Sequence, residues 1–238
     1  MKDALGSVQS VAVFGGTSDI GLDIARALVE DRARTVVLAA RDTARAERAA
    51  APLRAAGAQV DVRGLDLDRP DVRAIFAREG GIDVAVVAFG VLDGDPADLQ
   101  AVNGAGAVAV MTACADAMRR QGRGTIVLLS SVAADRPRVS NYPYGASKAA
   151  ADAYARGLRD ALSGTGVEVL IVRPGFVRTR MTEGMDPAPG AVDPPAVSAA
   201  VVDALRTNRG IVYVPGFLRW VMLVLKLVPR PIFRRLPI

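Results

Sequence analysis

Hydrophobic and polar positions divide the chain into two kinds of alternating segment. Short apolar runs rich in β-branched residues are separated by longer segments rich in Ala and Arg. The apolar runs lie at residues 8–14, 35–40, 58–65, 82–89, 125–130, 167–172 and 211–214, and the longer segments predict helices at 20–32, 44–56, 70–78, 97–120, 144–162 and 195–206. Because parallel strands need crossover connections, this pattern predicts a single-domain α/β fold with a doubly wound, seven-stranded parallel sheet.

The same pattern separates two further segments from the sheet and its helices. The Pro/Gly-rich stretch at 184–195 predicts a mobile surface loop at the carboxyl edge of the sheet, where ligands bind in such folds. No repeat or linker divides residues 1–214, so we predict one domain there. A basic, amphipathic C-terminal tail is predicted at residues 215–238.

Composition restricts the chemistry. The 238 residues include no His, one Cys (Cys114) and only three Lys among thirty basic residues. Without an imidazole, Ser-His and Cys-His nucleophilic sites and His-based metal sites are excluded, and a lone Cys excludes a thiolate zinc cluster. We therefore expect no metal, and a reaction that depends on Tyr, Lys, Ser, carboxylates or a bound cofactor.

The net charge of +5 is concentrated at the C-terminus. The tail has no acidic residue, and its basic residues are Arg219, Lys226, Arg230, Arg234 and Arg235. The rest of the chain is balanced, so a globally basic nucleic-acid-binding protein is a poor interpretation and we expect no nucleic-acid partner. We see no secretory signal and no run approaching the roughly 18 to 20 apolar residues of a membrane span.

A glycine-rich turn indicates where a nucleotide could bind. The first apolar run is followed by residues 15–21, Gly-Gly-Thr-Ser-Asp-Ile-Gly, and then by a predicted helix. Such a turn lets backbone N–H groups and the positive end of the helix approach a diphosphate closely. A purely structural tight turn has the same sequence signature, and the position inside a βαβ unit favours the binding site.

A second motif indicates proton-transfer chemistry. Tyr144 and Lys148 are four residues apart, which places them on one face of a predicted helix. A nearby cation favours the phenolate of a Tyr, whose ordinary pKa is about 10. Ser131, at the end of a strand thirteen residues earlier, has a hydroxyl that can hydrogen-bond a substrate carbonyl. An interfacial Tyr, a surface Lys and a strand-end Ser form the alternative interpretation.

These motifs resemble the short-chain dehydrogenase/reductase family over about residues 8–215. The resemblance implies a Rossmann-type dinucleotide-binding domain, an oxidoreductase that uses NADH or NADPH, and the catalytic residues Ser131, Tyr144, Lys148 and Asn103. The residues expected to bind the cofactor, besides Tyr144 and Lys148, are Gly15, Thr17, Ser18, Asp19, Ile20, Gly21, Asp66, Leu67, Gly90, Pro174, Gly175, Val177 and Thr179. By this resemblance Asp66 contacts the adenine, Thr179 the nicotinamide carboxamide and Lys148 the nicotinamide ribose, while Asn103 orders a water.

Two departures from the family pattern concern the cofactor site. Asp19 stands where the family usually has its middle glycine, which puts a carboxylate close to the diphosphate unless the side chain turns outward. Residues 87–90, Val-Ala-Phe-Gly, replace the usual Asn-Asn-Ala-Gly. The sequence therefore predicts altered cofactor affinity and turn geometry, with the catalytic set intact.

The choice of nucleotide depends on the end of the second strand. An acid at position 40 would bind a ribose 2′-hydroxyl and repel a 2′-phosphate, but the residue there is Ala40, and Arg41 follows. Arg41 is therefore a predicted cofactor contact that favours NADPH. Asp42 could still accept from a ribose hydroxyl, and Arg41 could be a solvated loop residue, so both nucleotides stay open.

A closer resemblance narrows the range of possible substrates. Residues 15–21, 173–181 and 217–238 look like the decaprenylphosphoryl-2-keto-ribose reductases, which usually use NADH. These enzymes reduce the C2 ketone that a FAD-dependent decaprenylphosphoryl-ribose oxidase produces, so that the pair acts as an epimerase and yields decaprenylphosphoryl arabinose for cell-wall arabinan. The resemblance implies a polyprenyl-phosphate sugar as substrate and that oxidase as partner. A reductase of another lipidic ketone, steroid or acyl, and a non-catalytic nucleotide-sensing or scaffold subunit are the alternatives.

The tail fits such a substrate. In helical register its apolar stripe comprises Trp220, Leu223, Val224, Leu227 and Val228, while Arg219, Lys226 and Arg230 lie on another face. A short amphipathic segment with basic flanks lies in a membrane interface, so we expect a peripheral membrane protein, with the cytoplasmic face favoured over the periplasmic one. Packing on the body or on a second subunit of a homo-oligomer is the alternative. Arg178 and Arg180 are further candidates for binding the substrate phosphate.

Overall fold

The structure, a computed structural model, describes residues 7–67, 72–77 and 80–234. The two ends of the helix predicted at 70–78 and the last four residues of the tail, including Arg235, lie outside the described residues. Seven strands form the sheet: β1 Ser10–Phe14, β2 Thr35–Ala40, β3 Gln59–Gly64, β4 Val84–Val87, β5 Gly124–Leu129, β6 Val167–Pro174 and β7 Ile211–Val214. Each lies within or close to its predicted run.

The sheet is entirely parallel, with the order β3-β2-β1-β4-β5-β6-β7. Val13 of β1 pairs with Leu38 on one side and with Val86 on the other. The chain order reverses between β1 and β4, which is the switch point beside which ligands bind in open parallel sheets. The predicted single-domain, doubly wound α/β fold is confirmed.

Helices cover both faces of the sheet, as the crossovers require. They are α1 Asp19–Glu30, α2 Thr43–Ala55, α3 Val72–Phe76, α4 Pro96–Leu99, α5 Ala107–Gln121, α6 Tyr142–Ala161, α7 Pro194–Thr207, α8 Leu218–Leu227 and α9 Arg230–Phe233. Alternate strand residues enter two separate apolar clusters, because successive side chains point to opposite faces. Val13 lies in one cluster and Phe14 in the other, both fully buried.

The helix predicted at 97–120 is interrupted. Residues Gln100–Gly106 form a π-helical turn between α4 and α5, a distortion that is frequent at functional sites. The segment Pro96–Gln121 is also long and apolar enough to cross a membrane, with a mean hydropathy of 1.3 over its best window. Just over half of that window is buried inside the protein, and Val110, Met111 and Met118 pack in the apolar cluster on one face of the sheet.

The tail forms α8 and α9, and one side of α8 packs on the body. Met222 is buried, whereas the stripe residues Trp220, Leu223, Val224 and Leu227 are exposed. Lys226 was predicted to lie with Arg219 and Arg230 on a face other than the apolar stripe. Its side chain is 41% exposed, and its Nζ lies 2.5 Å from Oδ1 of Asp135, a side chain that is only 4% exposed.

Candidate active site

A cleft of about 620 Å³ opens at the carboxyl edge of the sheet. Its walls come from the β1–α1 turn, the segments after β4 and β5, the first turns of α6, and the segment after β6. The predicted site residues that line it are Gly15, Thr17, Ser18, Asp19, Ile20, Gly90, Ser131, Tyr144, Lys148, Pro174, Gly175, Val177 and Thr179. The glycine turn and the proton-transfer motif, which are about 130 residues apart in sequence, thus share one cavity large enough for a small-molecule ligand.

Five predicted site residues do not line this cleft: Gly21, Arg41, Asp66, Leu67 and Asn103. Gly21 lies beneath the turn, where a Cβ would be 2.8 Å from Cβ of Ala88. Arg41 and Asp66 are exposed beyond the ends of β2 and β3, and Leu67 packs against the apolar cluster that contains Phe14. Their predicted contacts with the cofactor stay predictions.

The geometry of the glycine turn depends on its close approach to the neighbouring strand end. Gly15 has a φ of 98°, a backbone conformation that residues other than glycine rarely adopt. A Cβ at this position would lie 2.5 Å from the Phe89 nitrogen. Ser18 then caps α1, since its hydroxyl accepts from the Gly21 N–H at 3.3 Å. The first turn of α1 therefore faces the cleft, as a helix end that attracts a diphosphate would.

Asp19 is neutralised by a residue distant in sequence. Its Oδ2 accepts from the Arg180 backbone N–H at 2.9 Å, and its Oδ1 lies 2.5 Å from the Arg180 guanidinium. The same guanidinium donates to the Thr17 carbonyl. The carboxylate at the unusual position is thus paired with a cation, which offsets its repulsion of a diphosphate.

That ion pair also changes the interpretation of Arg180, which the sequence offered as a phosphate ligand. Its guanidinium is already engaged by Asp19 and the Thr17 carbonyl. Arg178, the other candidate, is not among the residues that line the cleft, and it contacts Asp193 at 3.4 Å. Both arginines therefore already have a carboxylate partner in this structure.

Arg45 is a cleft residue that sequence reasoning missed. Asp42 caps α2, since its Oδ1 accepts from the Arg45 N–H at 2.9 Å, so this carboxylate is committed to a helix end. Arg45, in the first turn of α2, lines the cleft near the glycine turn, whereas Arg41 does not. The N-cap pattern was the available signal, because an Asp at position 42 predicts a helix start there and so places Arg45 in the first turn.

Ser131 and Tyr144 both line the cleft. Ser131 follows β5 and is buried, and Tyr144 lies in the first turn of α6. Burial raises the pKa of Tyr144, and the side chain of Ser131 opposes that rise. The sequence analysis expected Lys148 to lower this pKa, and Lys148 Nζ lies 6.0 Å from the centroid of the Tyr144 ring. That distance is within reach of a cation–π interaction, so the contribution of Lys148 stays a prediction.

Lys148 is a buried cation, only 7% exposed. Its Nζ donates to the Leu129 carbonyl at 3.0 Å, next to the end of β5. Burial lowers its pKa to about 8, because an ammonium group loses hydration that one carbonyl replaces only in part. Lys148 therefore titrates near neutral pH, within reach of a ligand in the cleft.

Asn103 lies in the π-helical turn behind Gly90. Its amide group donates to the Val91 carbonyl at 2.7 Å and to the Ser147 hydroxyl at 3.0 Å, and its Oδ1 accepts from the Val91 N–H at 2.9 Å. Both donor hydrogens are therefore used, which leaves one acceptor site for a water. In this structure Asn103 anchors the segment after β4 to α6 rather than lining the cleft.

The mouth of the cleft contains further residues that the sequence analysis did not single out. Arg138 and Asn141, from the segment between Ser131 and Tyr144, line one side. Met181 and Met185, which follow Thr179, line the other and are about half exposed. Met185 belongs to the Pro/Gly-rich loop that was predicted at this edge, but no motif indicates which side chains of these loops line the cleft.

The residues present fit a dinucleotide cofactor. The turn at 15–20 presents backbone N–H groups at the start of α1 and lines the cleft. Position 15 has to be glycine, because a Cβ there would clash with the backbone of Phe89. Lys148 and Thr179 lie further along the same cleft, where a nicotinamide riboside would extend. The chain thus supplies a diphosphate cradle and polar groups on one continuous path.

Comparison with known proteins assigns the family. The family model described as short chain dehydrogenase matches residues 9–189. The chain belongs to this family. As a short-chain dehydrogenase it is an oxidoreductase. Ser131, Tyr144 and Lys148, which line the cleft, all lie within the matched residues.

Individual members of the family are similar over nearly the whole chain. An uncharacterized oxidoreductase of Mycobacterium tuberculosis, Rv2073c, is 46% identical over 95% of this chain and 96% of its own length. An uncharacterized oxidoreductase encoded in the mprA 5′ region of Streptomyces coelicolor is 43% identical over 99% and 98%. The alcohol dehydrogenase of the archaeon Thermococcus sibiricus, solved in complex with 5-hydroxy-NADP, is 26% identical, with a TM-score of 0.71 over 83% of this chain and 91% of that one.

The buried Lys148 predicts a pH-dependent gain of stability when its charge is removed. The unfolded chain keeps the proton up to a pH near 10.5, whereas the folded chain loses it near 8, so the free energy of unfolding of the wild type rises between these values. Lys148→Met should raise the free energy of unfolding by up to about 3 kcal/mol below pH 8. Denaturant titration at pH 7 and pH 10 should show a much larger gain at pH 7 than at pH 10, and equal effects at both would contradict the burial of a charged Lys148.

Proposed function

We propose that this short-chain dehydrogenase is an NAD(P)H-dependent reductase of a ketone on a lipid-linked substrate. The specific substrate we propose is a polyprenylphosphoryl 2-keto-pentose, whose C2 ketone is reduced to give decaprenylphosphoryl arabinose for cell-wall arabinan. The observation that carries the proposal is the combination of a Ser131–Tyr144–Lys148 site with an apolar mouth. Met181 and Met185 are exposed on one side of the cleft, and an apolar chain would cover them.

Exposed apolar residues also neighbour, in sequence, the polar residues on the other side of the mouth. Val139 and Tyr142 are 82% and 62% exposed, and they alternate with Arg138, Ser140 and Asn141, which line the cleft. Exposed apolar side chains that surround a polar site favour an amphiphilic ligand over a small polar one. A sugar ketone would occupy the polar base of the cleft, while the lipid would lie across the rim.

Arg138 is our candidate for the substrate phosphate. It lines the cleft, and among the described residues no carboxylate pairs with it, in contrast to Arg178 and Arg180. A guanidinium presents two parallel N–H groups that match a phosphate. The phosphate would therefore lie between the sugar in the cleft and the lipid at the rim. This is the order of the three groups in a polyprenylphosphoryl sugar.

The side chains supply the proton chemistry of the reduction. When bound, NADH or NADPH supplies a hydride to the carbonyl carbon. Tyr144 donates its phenolic proton to the carbonyl oxygen, which becomes the hydroxyl, and Ser131 hydrogen-bonds the same oxygen. The cationic form of Lys148 stabilises the phenolate that remains until solvent returns the proton.

The proposal extends to the partners of the enzyme. A FAD-dependent decaprenylphosphoryl-ribose oxidase would supply the keto sugar, since a reductase of this substrate needs an oxidation at the same carbon. The exposed stripe of α8 would contact the membrane that holds the polyprenyl chain, with Arg219 and Arg230 beside anionic headgroups. Such contact from the cytoplasmic side would bring the reductase to its substrate and to reduced nucleotide.

The catalytic assignment predicts the effect of removing one hydroxyl. Tyr144→Phe should lower turnover of polyprenylphosphoryl 2-keto-pentose at least about a hundredfold, because it removes the proton donor, while nucleotide binding stays within about twofold of wild type. Turnover is measured in a coupled assay with the oxidase and its lipid substrate, with NADH and NADPH in parallel. Near-wild-type turnover by this variant would refute the assignment. A wild type that reduces a steroid or acyl ketone but no keto sugar would refute the substrate.

The position of Arg45 predicts the nucleotide preference. Arg45→Ala should raise the KM for NADPH about tenfold and leave the KM for NADH within about twofold, because one charge-assisted hydrogen bond to a 2′-phosphate is lost. Arg48→Ala is the matched control, since Arg48 is an exposed residue of the same helix that lies outside the cleft. Equal effects of both variants would show that Arg45 does not contact the nucleotide.

The exposed stripe predicts lipid binding by the tail. The variant Trp220→Ser/Leu223→Ser/Leu227→Ser should lose binding to vesicles that contain anionic lipid and keep wild-type nucleotide affinity. The companion variant Arg219→Gln/Arg230→Gln should lose only the part of the binding that depends on anionic lipid and falls with salt. Co-sedimentation measures both, and retained binding by the triple Ser variant would refute the contact.

A further inference from the structure

A buried cluster of charged residues lies behind the active site. Arg173, the penultimate residue of β6, is 6% exposed, and Asp152 of α6 is 3% exposed. The Arg173 guanidinium donates to both carboxylate oxygens of Asp152, at 2.9 and 2.6 Å. Ser130 also donates to Asp152, at 2.7 Å. This bidentate pair joins β6, α6 and the end of β5.

Asp135 extends the cluster towards the tail. Its carboxylate lies 3.1 Å from the Arg173 guanidinium, accepts from the Tyr213 hydroxyl at 2.8 Å, and lies 2.5 Å from Lys226 Nζ of α8. The two buried carboxylates, Asp135 and Asp152, thus share one buried cation, Arg173. Each also contacts a more exposed cation, since Asp152 lies 3.3 Å from Arg156 and Asp135 contacts Lys226. Through Lys226 the tail adds positive charge at Asp135.

The cluster is directly connected to the residues of the active site. Ser130 precedes Ser131, and Asp152 lies one helical turn after Lys148. Asp135 begins the segment 135–141, which leads from Ser131 to Tyr144 and contributes Arg138, Ser140 and Asn141 to the cleft. Each charged contact therefore restrains a backbone segment that carries a functional side chain.

A second set of contacts joins the same segment to the tail. The Arg136 guanidinium donates to the Leu225 carbonyl of α8 and lies 3.9 Å from the centroid of the Phe233 ring of α9. Together with the Lys226–Asp135 pair, this holds α8 and α9 against residues 135–136. The face of α8 that remains exposed is the apolar stripe described above.

We propose that Lys226 is a positioning residue of the active site, which acts through Asp135 on the segment that joins Ser131 to Tyr144. The C-terminal tail is then a component of the catalytic site as well as a surface for lipid. The kinetic part of this inference rests on the proposed function of Ser131 and Tyr144. The structural part, that Lys226 orders residues 132–141, does not depend on it.

The structural part is tested by hydrogen–deuterium exchange on the full-length protein without ligand. Lys226→Met should speed amide exchange in residues 132–141 about tenfold, because the segment opens locally more often once its tether is lost. Lys226→Arg, which keeps the charge, should exchange like wild type. Arg219→Met is the matched control, since it removes a cation from an exposed position of the same helix. Unchanged exchange in Lys226→Met, or equal exchange in Arg219→Met, would overturn the proposal.

The kinetic part uses the polyprenylphosphoryl 2-keto-pentose in detergent micelles with NADPH. Lys226→Met should lower kcat about tenfold, since small displacements of catalytic groups slow reactions strongly, and leave the KM for NADPH within about twofold. Lys226→Arg should restore kcat. If wild type does not reduce this substrate, the proposed function fails, and the exchange experiment alone decides whether Lys226 positions the segment.

A double variant separates positioning from stability. Lys226→Met alone leaves Asp135 with Arg173, which it shares with Asp152, as its cation among the described residues. Lys226→Met/Asp135→Asn removes that carboxylate charge and keeps an acceptor for Tyr213. We expect the double variant to recover the melting temperature but to keep the low kcat and the fast exchange. Recovery of kcat together with stability would overturn the positioning role. If the single variant does not fold, the double variant provides both measurements.

Discussion

The close approach of the β1–α1 turn to the end of β4 is the contact on which the site depends. All seven strands are parallel, so their carboxyl ends meet at one edge, and β1 and β4 are neighbours although two strands, β2 and β3, lie between them in sequence. Only a glycine at position 15 lets the turn lie against Phe89. That contact directs the start of α1 into the cleft that β5 and α6 line with Ser131, Tyr144 and Lys148.

The buried charged groups differ in how completely a partner of opposite charge compensates them. Asp152 and Arg173 satisfy each other in a bidentate pair, as the low polarity of an interior requires. Among the residues that the structure describes, Lys148 has the Leu129 carbonyl as its one hydrogen-bond partner, and its pKa is lowered. An incompletely compensated cation is unfavourable for folding but useful beside a ligand, because its field acts on whatever occupies the cleft. The paired charges around it hold the elements that carry it.

Residues close in sequence or repeated with a regular period could be predicted, and contacts between distant loops could not. The apolar runs predicted the strands and their parallel pairing, and the Tyr144–Lys148 spacing predicted one helix face. The Asp19–Arg180 pair joins residues 161 positions apart, so no local pattern indicates that Arg180 neutralises the carboxylate. Asn103 was assigned a water, but its donors are used by Val91 and Ser147, which depends on how α4 and α6 pack.

The apolar stripe of the tail does not by itself indicate whether the helix contacts a membrane or the protein body. Sequence periodicity separates an apolar stripe from basic positions, and the bilayer and the protein body were alternatives for the whole segment. In the structure α8 uses both of its sides, with Met222 and Lys226 towards the body and Trp220, Leu223 and Leu227 towards solvent. On the body side, α8 is held by the pair between Lys226, whose side chain is 41% exposed, and the buried carboxylate of Asp135. The contact that fixes this side of the helix is therefore also a contact of the segment that leads from Ser131 to Tyr144.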